Sequence, residues 1–260
     1  MSNKIDRTGE INYNNFGSKI IIKEYRDCID IDVYFPEYNW TAENVQYGNF
    51  KKGNVKCPYE KRVFGIGYIG EDKYKAYENG KATKCYQTWK GMLERCYDDK
   101  LHKKEPTYKN CEVCKEWYNF QNFAKWYYNN YYEIEGQKIH LDKDILCKGN
   151  KIYSPENCIF VPNNINVLFT KSDKSRGNYP IGVHYNKQNK KFVAQCNIYD
   201  YEENKTKKKY LGLYDTVEKA FEVYKEFKER YIKQVADYYK EQIPDKLYNA
   251  LYDYKIEITD

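Results

Sequence analysis

The hydrophobic residues of this chain repeat with two different periods, and this change of period limits the fold to one with both strands and helices. In "IDIDVYF", Ile29, Ile31 and Val33 alternate with Asp and Tyr, which is typical of a half-buried strand. In "YQTWKGMLERCYD", Trp89 and Met92 begin a series at helical spacing. At about 100 to 200 residues per domain, the length of 260 residues predicts two or three domains. We therefore expect a multidomain α+β protein.

Residues 1–80 carry the strand pattern and are predicted to form a small β-barrel domain. Four segments are typical of short strands: "SKIIIKEYR", "IDIDVYFP", "GNFKKGNVKCP" and "VFGIGYIG". The last segment has the G-x-G-x-x-G spelling of a dinucleotide-binding turn, but no amphipathic helix follows it. Its glycines are therefore interpreted as turn or bulge residues.

Residues 81–172 and 173–260 form two further predicted domains, separated near "SDKSRGNYP", whose Ser, Gly and Pro content is typical of a linker. In the first, two leader helices, "YQTWKGMLERCYD" and "CKEWYNFQNFAKWYYNNYY", precede a strand, a turn, the strand "CIFVP" and a helix that begins at "NNINVLFTK". In the second, three strands precede a long helix that begins near Thr216. This domain is therefore predicted to be a three-stranded antiparallel sheet plus a helix.

The composition excludes several classes of protein. No stretch approaches the ~20 apolar residues of a membrane span, and "MSNKIDRTGE" is polar where an export signal would be apolar. Nine cysteines form an odd set, which argues against a disulfide framework. We therefore expect a soluble cytoplasmic protein with reduced thiols and no membrane partner. The net charge of +6 suggests a polyanionic partner only where the lysines cluster.

The segment "HLDKDILCKGNKIYSPENCIFVPNNINVLF", residues 140–169, concentrates side chains that bind divalent cations. Strand alternation places His140, Asp142 and Asp144 on one face and Lys143 on the other, unless the strand ends or bulges there. Further side chains with oxygen atoms that can bind a cation lie on the second strand and the helix, namely Asn157, Asn163 and Asn166. Phosphodiester cleavage with one divalent ion requires oxygen ligands and a general base beside the attacking water. Two interpretations are open: a metal-dependent nuclease centre and a polar strand, turn and helix.

The phrase "LDKDI...YSPENCIFVPNNIN" resembles the HNH ββα-metal endonuclease motif. The preceding "WKGMLERCY" and "CEVCKEWYNFQNF" resemble the leader of phage-borne HNH proteins. The resemblance implies that Asp142 and Asn166 bind a divalent ion such as Mg²⁺, and that Asn157 orients the base and its loop.

The general-base histidine of that motif is replaced by Lys143 in this chain. A protonated lysine cannot take a proton from water, although a cation at this position can bind the scissile phosphate. Three alternatives follow. His140 serves as the base, a desolvated Lys143 serves as the base, or the centre is inactive and is retained as a DNA-binding scaffold.

A second candidate metal site consists of cysteines. Cys111 and Cys114 form a C-x-x-C pair, and Cys147 and Cys158 flank the loop between the two strands. A four-thiolate zinc site of the knuckle type needs a spacing of about two to four residues in each pair. The second pair is further apart than this, so four separate thiols are the preferred interpretation over a structural Zn²⁺.

The C-terminal sheet is predicted to have one face for its helix and one for a partner. Alternation directs four side chains towards the helix, namely Phe192, Ala194, Cys196 and Ile198. The opposite face carries the candidate DNA-binding residues, which are Lys191, Gln195 and Asn197, with Lys207 and Lys209 of the adjacent "KTKKK". Sheets with basic and amide side chains can enter a DNA groove. A solvated sheet face is the alternative.

The segment "PIGVHYNKQNKKFVAQ...KKKYLGLYDTVEKAFEVYKEF" resembles the APETALA-type, ethylene-response-factor-like domain, which implies double-stranded DNA as a partner. Three hypotheses for function follow. The first is a phage-type DNA endonuclease or nickase that uses a divalent metal. The second is a catalytically inactive nucleic-acid-binding protein, and the third is a phage protein that binds and inhibits a host nucleoprotein defence complex. Lys143 favours the last two, whereas the crowding of Asp142, Asn157 and Asn166 favours the first.

Overall fold

The computed structural model describes residues 5–169, 178–200, 203 and 205–259. The protein is a mixed α+β protein with several separate sheets, as predicted. The chain forms two compact units: the first comprises Met1–Asn129 with Lys151–Ser154, and the second comprises Asn130–Asn150 with Pro155–Asp260. The division into domains at 1–80, 81–172 and 173–260 stays a prediction. Residues 170–177, which include most of the predicted linker, lie outside the described residues.

The first unit begins with a four-stranded antiparallel sheet in which sequential strands are neighbours. Its strands are β1 (Ile11–Tyr13), β2 (Lys19–Asp27), β3 (Asp30–Phe35) and β4 (Trp40–Val45). Alternation in β3 buries Ile31, Val33 and Phe35 in one core with Ile20 of β2. The prediction that Ile29 belongs to this buried series is wrong, because Ile29 lies in the turn before β3 and is 67% exposed.

This sheet is open, so the predicted N-terminal barrel is wrong. The described residues contain no pairing of β1 with β4 that would close it. The segment "GNFKKGNVKCP" adds no strand, because Phe50 is buried from the short helix α1 (Tyr47–Lys51) and Gly53, with φ of 68°, turns the chain after it. The segment "VFGIGYIG" forms turns with isolated bridges at Val63 and Tyr68, which agrees with turn-forming glycines.

The two predicted leader helices are present as α2 (Lys84–Tyr97) and α4 (Phe120–Asn130). Thr83 caps α2, because its side chain accepts a hydrogen bond from the backbone N–H of Tyr86. Trp89 is fully buried and donates its indole N–H to the carbonyl oxygen of Trp117 at 2.6 Å. The remaining elements of this unit are β5 (Tyr77–Glu78), β6 (Lys81–Ala82), α3 (Asp99–Lys104), β7 (Glu112–Val113) and β9 (Ile152–Tyr153).

The second unit contains a two-stranded pair and a three-stranded sheet. Strand β8 (Ile139–Asp142) pairs antiparallel with β10 (Ile159–Pro162), and helix α5 (Asn163–Asn166) continues directly from β10. The sheet has the order β11-β12-β13, with strands Val183–Asn186, Lys191–Asp200 and Lys205–Tyr214. Helix α6 (Val217–Tyr239) packs on this sheet, and α7 (Asp245–Asp253) packs on α6. These elements correspond to the three strands and helix expected from the sequence.

One hydrophobic core fixes both parts of the second unit. It includes Ile165 of α5, Cys196 of β12, Ile232 of α6 and Leu247 of α7. The positions of the candidate site residues on β8 and β12 are therefore set by the same core. In the parts of the chain that the structure describes, every helix is too short or too polar to cross a membrane.

Candidate functional site

The β8–β10 pair brings two of the predicted site residues to one face. Its register places His140 opposite Val161 and Asp142 opposite Ile159. His140 and Asp142 are two positions apart in β8, so their side chains project from the same face of the strand, as predicted. Both residues are half-buried, and the Nε2 atom of His140 is shielded from solvent. This face therefore holds a carboxylate and an imidazole where access of water is limited.

Asp142 uses one carboxylate oxygen to close the turn after β8. Its Oδ1 atom accepts hydrogen bonds from the backbone N–H groups of Asp144 and Ile145, each at 2.7 Å. Burial raises the pKa of the Asp142 carboxyl above its ordinary value, and these two hydrogen bonds oppose the rise because they stabilise the carboxylate. Since both bonds end on Oδ1, the second oxygen is the one that remains for a cation.

Lys143 lies beyond the end of β8 and its side chain turns inward. The strand ends at Asp142, and only 6% of the Lys143 side chain is exposed. Its Nζ atom donates to Oδ2 of Asp144 at 2.7 Å and to the carbonyl oxygen of Asn150 at 2.8 Å. The exception allowed for in the prediction of strand alternation applies here: the strand ends at Asp142, so its alternation does not extend to Lys143 and Asp144. Lys143 instead joins the two ends of the loop 143–150.

Two asparagine side chains complete the closure of this loop. Asn157 donates through Nδ2 to Oδ1 of Asn150 at 3.3 Å, and Asn150 donates through its own Nδ2 to the carbonyl oxygen of Lys143 at 2.9 Å. We call Lys143, Asn150 and Asn157 the loop clasp. The role that the resemblance to HNH endonucleases implies for Asn157 stays a prediction.

Asn166 is the last residue of α5, a helix of about one turn that contacts both β8 and β10. It is half-buried. Carboxylate and amide oxygens are ligands that hard divalent cations prefer. The donor types of Asp142 and Asn166 therefore suit Mg²⁺, although together they supply only two side-chain ligands.

Within the described residues, no group of three or more His, Cys, Asp or Glu side chains is arranged to share one metal ion. Asparagine is not one of these four residue types, so the Mg²⁺ site at Asp142 and Asn166 stays a prediction. The nine cysteines are free thiols in this structure. Those considered for Zn²⁺ differ in exposure: Cys111 and Cys158 are buried, Cys114 is half-buried and Cys147 is exposed.

The three-stranded sheet offers a second candidate site on the face opposite α6. Ala194 and Cys196 belong to the core on the α6 side, so Gln195 and Asn197 project from the opposite face. In the register with β13, Tyr210 lies opposite Gln195 and Lys208 lies opposite Asn197. We call Gln195, Asn197, Lys208 and Tyr210 the open-face patch. Val193 on the same face is buried and separates Gln195 from Lys191, which lies at the start of β12 on this face and is exposed.

A β-bulge decides which lysines belong to this patch. The register shifts between Ala194 and Gln195, where β13 contains one extra residue. Lys208 consequently lies opposite Asn197, whereas Lys207 and Lys209 lie opposite Ile198 and Cys196 on the α6 side. Simple alternation without the bulge would have placed Lys207 and Lys209 on the open face, which is where the sequence pattern predicted them.

Two of the predicted DNA-binding lysines already have acidic neighbours. The Nζ atom of Lys191 lies 3.0 Å from Oδ1 of Asp215. The Nζ atom of Lys207 lies 2.8 Å from Oδ2 of Asp200 and 2.5 Å from Oε1 of Glu203. The bond to Asp200 and then that to Glu203 raise the pKa of Lys207. Ion pairs as exposed as these are weak in water, so a phosphate can compete for either lysine.

Comparisons with protein-family models, with curated proteins and with solved structures gave no match for this chain. The resemblances to HNH endonucleases and to APETALA-type domains therefore stay predictions. The open-face patch and the face of β8 that carries His140 and Asp142 are the observations from which a function is inferred.

Proposed function

We propose that this protein binds double-stranded DNA through the open-face patch. The observation that carries the proposal is the register of β12 with β13, which groups two amides, a lysine and a tyrosine on one face. The amides offer donors and acceptors to base edges, and the lysine offers positive charge to phosphates. A two-stranded β-ribbon of this kind can enter the major groove of B-DNA.

The turn between β11 and β12 adds basic side chains at one end of the sheet. Lys187 and Lys190 are exposed in this turn. The turn is ordered by Asn186, whose Oδ1 atom accepts the backbone N–H groups of Gln188 and Asn189, each at 3.0 Å. Each phosphate contact lowers the logarithm of the binding constant by about 0.9 per decade of salt. Contacts from Lys187, Lys190 and Lys208 therefore predict a slope of about −3.

Fluorescence anisotropy of a labelled duplex over about 50 to 200 mM salt tests this proposal. Lys208→Ala should weaken binding and reduce the salt slope by about 1. The matched control is Lys90→Ala, which removes an exposed lysine of α2 in the first unit. Wild-type affinity in Lys208→Ala, or absence of duplex binding by the wild type, would contradict the proposal.

A second candidate function is divalent-metal cleavage of DNA at the β8–β10 pair. The observation that favours it is the position of His140 and Asp142 on one half-buried face. A bound divalent ion would polarise the phosphate and activate water. Asp142 and Asn166 would hold that ion, and His140 is the residue of this face that can accept a proton. We assign Lys143 to the loop, since its Nζ atom is engaged by Asp144 and Asn150.

Conversion of supercoiled plasmid to the nicked or linear form tests the second candidate. Wild type, Asp142→Ala and His140→Ala would be compared with Mg²⁺ or Mn²⁺ and with EDTA. Cleavage that requires the ion and is lost in both variants would support a nuclease. Duplex binding without cleavage would support an inactive DNA-binding protein, and failure to bind DNA would contradict both DNA-directed functions and leave the host nucleoprotein complex as the remaining hypothesis.

A further inference from the structure

We propose that Gln195 and Asn197 read adenine bases in the major groove, so that the open-face patch prefers A·T base pairs; this inference rests on the proposed DNA binding. The two residues lie in the central strand, two positions apart on one face. Their backbones are held by the ladder with β13, and the N–H of Gln195 also donates to the carbonyl oxygen of Gly182 at 2.9 Å. Within the described residues, neither carboxamide takes part in a hydrogen bond, so both are available to a ligand.

A carboxamide matches adenine and mismatches guanine. Its oxygen accepts a hydrogen bond from the N6 amino group of adenine while its NH₂ group donates to N7. Guanine presents the two acceptors O6 and N7, so the amide oxygen would face O6 with no hydrogen between them. One bidentate pair discriminates between bases by about 5-fold to 150-fold in affinity. Lysine contacts to phosphates give no such discrimination, because phosphates carry no sequence information.

The spacing of the two amides predicts the spacing of the bases. A strand rises about 3.3 to 3.4 Å per residue, so residues two positions apart are separated by about 6.6 to 6.8 Å. Successive base pairs are about 3.4 Å apart along the duplex. When β12 runs along the groove, Gln195 and Asn197 therefore lie two base pairs apart. This geometry predicts an A-x-A pattern on one DNA strand.

The cross-strand neighbours extend this recognition. Tyr210 is 59% exposed and lies opposite Gln195, and the exposed Lys208 lies opposite Asn197. Residues that face each other in an antiparallel pair have Cβ atoms about 4.5 to 5.5 Å apart. The tyrosine ring is thus beside the first adenine position, where the thymine methyl group of that base pair offers an apolar contact. Lys208 is left for a phosphate.

Competition binding with three duplexes of equal length tests the readout. The first contains A-x-A triplets at its centre, the second has G-x-G at the same positions, and the third has 7-deazaadenine in place of those adenines. The 7-deaza base lacks the N7 acceptor but keeps its pairing and its minor-groove edge, so it separates major-groove reading from recognition of DNA shape. We expect the first duplex to bind at least about fivefold more tightly than the other two.

Two sets of variants assign the preference to residues. Gln195→Ala combined with Asn197→Ala should remove the preference, whereas Lys208→Ala should weaken binding to all three duplexes alike. Far-UV circular dichroism compares the folds. Equal affinity of the wild type for the three duplexes would overturn the adenine readout and leave the proposed DNA binding intact. A preference for the first duplex that persists in the double variant would have the same consequence. No binding to any duplex would overturn both.

Discussion

Replacing Lys143 by methionine tests whether the loop clasp is a structural device. The substitution keeps an unbranched side chain of similar length, so the packing of the buried lysine stem is largely retained. It removes the hydrogen bonds that Nζ donates to Oδ2 of Asp144 and to the carbonyl oxygen of Asn150. The change in stability then reports the polar contacts of the Nζ atom, including these two.

The magnitude follows from the exposure of the two acceptors. A hydrogen bond from a charged donor contributes about 1.5 to 3 kcal/mol, and we assign this range to the half-buried contact with Asn150. The contact with Asp144 contributes about 0 to 1 kcal/mol, because 52% of the Asp144 side chain is exposed and water replaces the lost partner. We therefore expect Lys143→Met to lower the free energy of unfolding by roughly 1.5 to 4 kcal/mol.

Urea denaturation followed by far-UV circular dichroism measures this loss. Hydrogen exchange at the backbone N–H groups of Asp144 and Ile145 reads the loop directly, since both groups bond to Asp142. The matched control is Lys138→Met, which changes an exposed lysine just before β8. A loss below about 0.5 kcal/mol, the range of ordinary surface substitutions, would refute the reasoning.

Three further outcomes test the buried titratable groups. Burial raises the pKa of Asp142, so the native state binds the extra proton and wild-type stability falls as pH rises through the interval between the ordinary and the raised value. In Asp142→Asn the urea midpoint should not fall over this pH interval. A pH profile identical to that of the wild type would contradict the raised pKa of Asp142. Burial lowers the pKa of Lys228, so wild-type stability rises with pH through the interval between the lowered and the ordinary value. Lys228→Met should therefore be more stable than the wild type at neutral pH, and the difference in stability should narrow in alkaline solution. A urea midpoint below that of the wild type at neutral pH would contradict this prediction. Burial raises the pKa of the Cys85 thiol to about 12, so alkylation followed by peptide mass spectrometry should label the exposed Cys28 and Cys147 first, and equally fast labelling of Cys85 would be inconsistent with its burial.

Local periodicity predicted the elements whose signal lies within a few residues. The alternation of Ile31 and Val33 and the helical spacing of Trp89 and Met92 both correspond to buried faces. The barrel prediction failed because it depended on which segments pair at a distance. The side chain of Phe50 can be buried from a helix as well as from a strand. Only its contacts in the tertiary core decide between these two elements.

The predictions for the candidate sites differ from the structure in two places. Each difference has a physical reason. Alternation placed His140 and Asp142 correctly, but the side chain of Asp142 captures the N–H groups that follow it and ends the strand. Aspartate competes with the ladder in this way, so the D-x-D sequence itself contained a usable signal. The second difference is the β-bulge, which places Lys208 on the open face where Lys207 and Lys209 were predicted. The sequence signals this bulge only weakly, through Gly212, whose φ of 135° few other residues adopt.

The loop clasp also bears on how the two candidate functions are related. A centre that gathers several carboxylates is strained by their repulsion until a cation neutralises them. Here Lys143 lies within hydrogen-bond distance of Asp144, and Oδ1 of Asp142 is satisfied by two backbone N–H groups. Lys143 thus supplies an internal cation to the loop. We therefore expect the fold of this segment, and DNA binding through the distinct open-face patch, to be independent of a divalent ion even if cleavage requires one.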